Sequence, residues 1–193
     1  FKGTKKRKTF HILNRLERVG GDLNAYTTKE ETWISASFLE RDLERAMELV
    51  TDISFNSTFP KNEIVKEQEV ILDEIASVLD NPSDVIFDEF EERLFGSHPL
   101  GRTILGTEDS VRNLGRLQIN SFVDRYYCPD QMVFASVGST PIAKFKKLCE
   151  KYLSLKTGTK SKLNRLPPHA ISVFDERIEH DTHQVHHLLG GMT

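Results

Sequence analysis

The stretch EIVKEQEVILDEIASV, residues 63–78, decides how the rest of the chain is read. It holds no Gly or Pro, and Glu, Lys, Leu and Ala recur in it, so its composition predicts a helix. Glu67 and Glu74 are seven residues apart, close to two helical turns, so their carboxylates leave the helix along nearly one line. On a helical wheel Val70 flanks that line on one side, and Ile71 and Val78 flank it on the other. A carboxylate set among apolar neighbours needs a cation, a hydrogen-bond donor or a proton to offset its desolvation. Two surface acids at the margin of an amphipathic helix give the same pattern. The helix alone does not choose between the readings.

Upstream, residues 7–19 place Phe10, Ile12, Leu13, Leu16 and Val19 at helical spacing, and Gly20-Gly21 ends that helix. Thr32 to Phe38 alternates as a strand, with Trp33, Ser35 and Ser37 on one face and Ile34, Ala36 and Phe38 on the other. Leu23 to Thr27 reads as a short partner strand joined to it by the polar turn at Thr28 to Glu31. Being short, Gly-led and polar, it has the character of an edge strand. Residues 40–55 form an amphipathic helix. Downstream of the organising helix, Asn81-Pro82 breaks the chain and Ser83 is a candidate cap for a helix over Asp84 to Phe95. Short helices are expected near Glu108 to Leu114 and Leu117 to Tyr127, and a longer one from Pro141 through Leu155. Met132 to Val137 is a continuous apolar run that suits a buried strand. Ile171 to Glu179 and Gln184 to Leu189 are strand-like as well.

The chain has 193 residues, 38% hydrophobic and 28% charged, enough for one good core. We expect one α+β domain over residues 1–193, incomplete at both ends, with a sub-boundary in the basic, breaker-rich linker 156–168. A net charge of −3 argues against a general nucleic-acid binder. The basic opening KGTKKRK reads as a solvated helix start. The two cysteines, Cys128 and Cys149, form no CxxC and fit a reducing, cytoplasmic setting. No apolar run reaches membrane-spanning length, so no membrane partner is expected.

Five segments in order resemble the insulinase, pitrilysin and mitochondrial-processing-peptidase family of zinc proteases. They are FKGT at residue 1, GGDLNAYTTKEET at 20–32, the KEQEVILDEI helix, HPLGRTILG at 98–106 and YYCPDQMVFASVG at 126–138. The resemblance implies an α+β fold, an antiparallel or mixed sheet with helices mainly on one face, as in part of that family's first half-clamshell. It also implies a Zn²⁺ site built from an H-x-x-E-H motif and a glutamate on a later helix. Two imidazoles and one carboxylate leave the metal a position for water, whose pKa falls toward about 7 when bound.

None of the seven histidines here stands in an H-x-x-E-H motif. In the family the motif ends just before the FKGT segment, which puts it ahead of Phe1. The family's interval of roughly seventy-five residues to the later ligand then lands on Glu74. Glu67 resembles the supporting acid that orients a ligand or the water. Asn24, Ala25, Tyr26 and Thr27 resemble the edge strand to which an extended peptide is added. The expected function is therefore metalloendopeptidase activity in the longer protein, with a peptide or unfolded protein as substrate. A second half-clamshell from the same or a partner chain is implied, with a homodimer as the expected assembly. The alternative is a non-catalytic family subunit that binds peptides or pairs with an active partner. His180, His183, His186 and His187 form a separate cluster in the tail. An exposed polar tail accounts for it more simply than a metal site does.

Overall fold

The computed structural model describes residues 1–153, 165–168, 173–179 and 183–191. Helix α1 (Thr9–Glu17) leads into strands β1 (Asp22–Thr27) and β2 (Thr32–Ser37). A single 3-10 turn at Glu40–Asp42 then opens α2 (Leu43–Asn56). The organising stretch lies within α3 (Lys61–Leu79), followed by α4 (Pro82–Phe95), α5 (Glu108–Asn113), α6 (Arg116–Tyr126) and α7 (Ile142–Leu153). Two compact units result, one of Phe1–Ile64 with Gly115–Leu163, the other of Val65–Leu114 with Asn164–Thr193.

In the first unit the double glycine has two distinct jobs. Gly20 takes φ +75°, and its N–H bonds to the Glu17 carbonyl at 2.9 Å while that of Gly21 bonds to Leu16 at 3.0 Å. That pair of bonds is a Schellman stop, which favours glycine at the left-handed position. Gly21 is needed for space: a Cβ there would lie 2.8 Å from the Ser37 carbonyl oxygen and 3.3 Å from Leu16 Cβ. Gly21→Ala should therefore push β2 off the end of α1 and cost about 1–3 kcal/mol. A denaturant midpoint unchanged from wild type would refute this.

The glycines deliver the chain into an antiparallel hairpin in which Ala25 faces Ile34 and Tyr26 faces Trp33. Leu23, Ile34 and Ala36 form its inner face and pack, with Phe1 and Phe38, on Ile12, Leu16, Ala46, Leu49 and Ile53. Ile12, Leu16 and Leu49 are fully buried, each contributing about 1.5–3 kcal/mol by leaving water. Leu43 and Met47, elsewhere on α2, meet Leu148 of α7 beside Phe134 and Phe145. The fold is thus α+β, as expected: among the described residues a two-stranded antiparallel sheet, with α1 and α2 packed on its inner face.

The opening basic segment departs from the solvated helix start. Thr4 and Arg7 are tied to α2: Thr4 Oγ1 donates to Asp52 Oδ2 at 2.7 Å, and Arg7 Nη1 donates to the same oxygen at 2.6 Å. Arg7 Nη2 also reaches both Glu48 oxygens at 2.7 Å. The guanidinium fork of Arg7 satisfies two acids of α2 at once, a role that charge counting does not reveal.

In the second unit, Leu72 and Ile75 of α3 are buried against Val111 of α5, with Ile71 and Leu105 alongside. Asn81, rather than Ser83, caps α4: its Oδ1 accepts from the Ser83 N–H at 3.3 Å, and Pro82 fills the first turn. Phe90 of α4 meets Phe174 with ring centroids 5.5 Å apart.

Three strand expectations are not met. Met132 to Val137 is irregular, with Val133 and Val137 almost wholly exposed at 95% and 103%. Residues 173–179 and 184–189 are irregular too, and Ile171 and Ser172 lie outside the described residues. A strand needs a ladder partner for its backbone groups, and none of the described segments pairs with these three runs. Apolar, β-branched composition alone does not make one. Residues 156–164 of the expected linker also lie outside the described residues. No helix among the described residues is long and apolar enough to cross a membrane.

Candidate functional site

Helix α3 forms because its run of helix formers is uninterrupted, and Pro60 just ahead of it accepts the first backbone bonds from Glu63 and Ile64, each at 3.0 Å. Its buried line is Leu72 and Ile75. Glu67, Ile71, Glu74 and Val78 run along the adjacent line, with Glu67, Ile71 and Val78 half-buried and Glu74 exposed. Val70, on the other flank, is 57% exposed. The acids therefore sit at the margin of the buried face. Glu74 makes no hydrogen bond or ion pair among the described residues, so its oxygens are available to an incoming cation.

Gln68, which sequence reasoning passed over, anchors this helix. Its Nε2 lies 2.8 Å from the Val111 carbonyl and 3.2 Å from those of Arg112 and Leu114. These carbonyls crowd the C-terminal end of α5, where that of Val111 also accepts the Leu114 N–H at 3.2 Å, and one side-chain amide serves all three. The signal was present: Gln68 stands on the same wheel line as Leu72 and Ile75, where a polar residue implies a buried partner.

In the first unit, β1 carries Asn24, Ala25, Tyr26 and Thr27 with every one of them exposed. Antiparallel pairs alternate between bonded and unbonded. The Thr28 N–H bonds to the Glu31 carbonyl at 2.8 Å, so Tyr26–Trp33 and Asn24–Ser35 are the bonded pairs of the same register. Leu23, Ala25 and Thr27 accordingly turn their N–H and C=O groups away from β2. At Ala25 the outward N–H is held by Asn24 Oδ1 at 2.8 Å, a local stand-in for a carbonyl from another strand. Among the described residues no third strand pairs with this edge.

The donor set can be tested against a metal. Glu74 suits one ligand position, being anionic, exposed and carried on a rigid helix. Among the described residues, however, no group of three or more His, Cys, Asp and Glu side chains is placed to hold an ion. Of the tail histidines, the described His183, His186 and His187 form no such group, and His180 lies outside the described residues. This chain therefore supplies one candidate ligand rather than a site.

Known proteins resemble this chain along most of its length. Residues 1–108 match the family model described as insulinase (peptidase family M16), and residues 113–191 match the peptidase M16 inactive domain. An uncharacterized zinc protease of Mycobacterium leprae is 42% identical over 139 residues, 72% of this chain and 31% of its own length. The mitochondrial-processing peptidase subunit beta of Bos taurus is 32% identical over 189 residues, 97% of this chain and 39% of its own length. The chain thus spans about a third of these relatives. The first half of the periplasmic protease PqqL from Escherichia coli superposes with a TM-score of 0.78 at 26% identity, covering 88% of this chain and 38% of that one. With a family model matched over more than half its length and curated relatives along nearly all of it, the chain belongs to the insulinase family of peptidases, family M16.

Proposed function

We propose that this chain is the substrate-edge and downstream-ligand portion of a zinc endopeptidase that cleaves extended peptides. In that reading β1 receives the peptide as an added strand. Glu74 supplies the anionic ligand to Zn²⁺, and Glu67 supports the site from one wheel line away. The metal, held with an H-x-x-E-H motif outside this chain, would polarise water for attack on the peptide carbonyl. What this chain's own residues do is bind and orient: β1 fixes the backbone of the peptide, and α3 presents its acids from a helix pinned by Gln68. The observation that carries the reading is the alternation on β1, which leaves the backbone groups of Leu23, Ala25 and Thr27 facing outward. A second half-clamshell, from the same chain or a homodimer partner, would close over the peptide.

A second reading, a non-catalytic subunit that binds peptides beside an active partner, has one observation in its favour. Residues 113–191 match a model described as an inactive domain. Sequencing the residues ahead of Phe1 in the longer protein separates the two by the presence or absence of H-x-x-E-H.

Ala25→Pro tests the edge. Proline removes an N–H that the β1–β2 ladder does not use, so the hairpin should survive while the docking edge loses a donor. In the longer protein we expect peptide affinity to fall about tenfold with bound zinc unchanged, measured by peptide titration and metal analysis of the same sample. Wild-type affinity in a folded variant would remove this strand from the site.

A further inference from the structure

The buried line of α3 opens on a polar residue. Gln68 stands one turn ahead of Leu72, and Leu72 and Ile75 pack on Val111 of α5 with Leu105 alongside. Apolar contact is non-directional, and in so small a cluster it leaves a helix room to turn or slide. Gln68 removes that freedom. Its Nε2 reaches the carbonyls of Val111, Arg112 and Leu114 at 2.8, 3.2 and 3.2 Å. All three partners are acceptors, so only the donor end of the amide can face them. α5 is itself fixed at its start, where the Ser110 N–H donates to Thr107 Oγ1 at 3.2 Å and the Thr107 N–H to Ser110 Oγ at 2.9 Å. The clamp therefore ties α3 to a short helix closed at both ends.

Glu67 stands about 100° around the helix from Gln68, and Glu74 returns to the Glu67 line two turns later. Any turn of α3 about its axis moves both carboxylates, whereas a metal–ligand distance tolerates a shift of only about 0.2 Å. Resting on the reading of Glu74 as the ligand, we infer that Gln68 is a positioning residue of the metal site. By clamping the end of α5 it fixes the rotation and height at which α3 presents Glu74. It acts through the helix rather than by touching the metal or the peptide.

The test is zinc affinity in the longer protein, measured by competition with a chromophoric chelator while circular dichroism confirms the fold. Gln68→Met keeps the length of the side chain without a donor, and Gln68→Glu turns an acceptor toward three acceptors. Both should bind zinc about tenfold more weakly, the lower end of what a lost outer support costs a metal site. Gln68→Lys, with three donors and no acceptor, should bind zinc as wild type does. Charge alone predicts the opposite order, since an added anion attracts Zn²⁺ and an added cation repels it. Affinity lower in Gln68→Lys than in Gln68→Glu would therefore show charge rather than position at work and overturn the inference. A merely structural side chain would lower the denaturant midpoint of the metal-free protein and leave the zinc affinity of the folded form unchanged. Wild-type affinity in folded Gln68→Met and Gln68→Glu would overturn the inference as well. Should those two not fold, Gln68→Asn carries the test: it is one methylene too short to reach all three carbonyls, and wild-type affinity there would have the same force. Glu74→Gln, assayed beside them, separates the two claims. If it loses zinc while the Gln68 variants keep theirs, only the positioning role fails. If it keeps zinc, the ligand reading fails and the positioning role with it.

Discussion

Glu74→Gln in the longer protein should lose most of its zinc on dialysis, and peptide turnover with it. The substitution keeps the size and helix propensity of the side chain but exchanges an anionic donor for a neutral amide, a poor partner for Zn²⁺. Glu74 is exposed and makes no hydrogen bond or ion pair among the described residues, so the loss would not come from a broken structural contact. Glu67→Gln should behave differently. If its carboxylate orients a ligand rather than binding the ion, metal content should stay near wild type while turnover falls about 10–100-fold. The readout is zinc per chain beside peptide turnover, in the order wild type and Glu67→Gln high, Glu74→Gln low. Reversal of that order would move the ligand two turns along α3. Full metal and activity in both variants would leave the two acids as surface residues at the margin of the helix.

Asp52→Ala should destabilise the fold. Asp52 is 3% exposed and its side chain receives hydrogen bonds from Thr4, Arg7 and Asn56. Removing it takes away one of the two carboxylates that pair with the Arg7 guanidinium, leaving Glu48, and opens a hole in the packing, at a cost of about 1.5–3 kcal/mol. Asp52→Asn, which can still accept from Thr4, should lose less. Burial pushes the Asp52 carboxyl up, but the bonds from Thr4, Arg7 and Asn56 and the charge of Arg7 together outweigh it and hold the carboxyl below its usual range. A depressed folded-state pKa contributes stability above the unfolded value of about 3.9, and that contribution disappears as pH falls through the folded value. Acid titration of stability should therefore flatten in Asp52→Asn. Denaturant midpoints for both variants matching wild type, with the same acid profile, would show that the opening segment is held by something else.

The same cluster marks where sequence reading ran short. Lys2 to Lys8 is basic, and a charge run read locally belongs in solvent. Arg7 instead meets Glu48 and Asp52, residues more than forty positions away, and only a packed helix pair brings them into reach. Gln68 is similar: its wheel position hinted at burial, but the three carbonyls it serves belong to another helix. By contrast the hairpin, the glycine stop of α1 and the body of α3 were legible, because each is set by neighbours within a few residues.

By itself the sequence determined the helices, the edge hairpin and the family, since local periodicity, turn chemistry and ordered motifs need no distant partner. Tertiary structure alone decided that the later apolar runs did not become strands. Thr32 to Ser37 found a ladder partner in β1, whereas Met132 to Val137, more apolar, pairs with none of the described segments. It likewise decided that the acids of α3 stand beside its buried line rather than within it. The physical reason is the same in each case: a strand, a buried charge and a ligand are completed by groups far along the chain, and their positions exist only once it has folded.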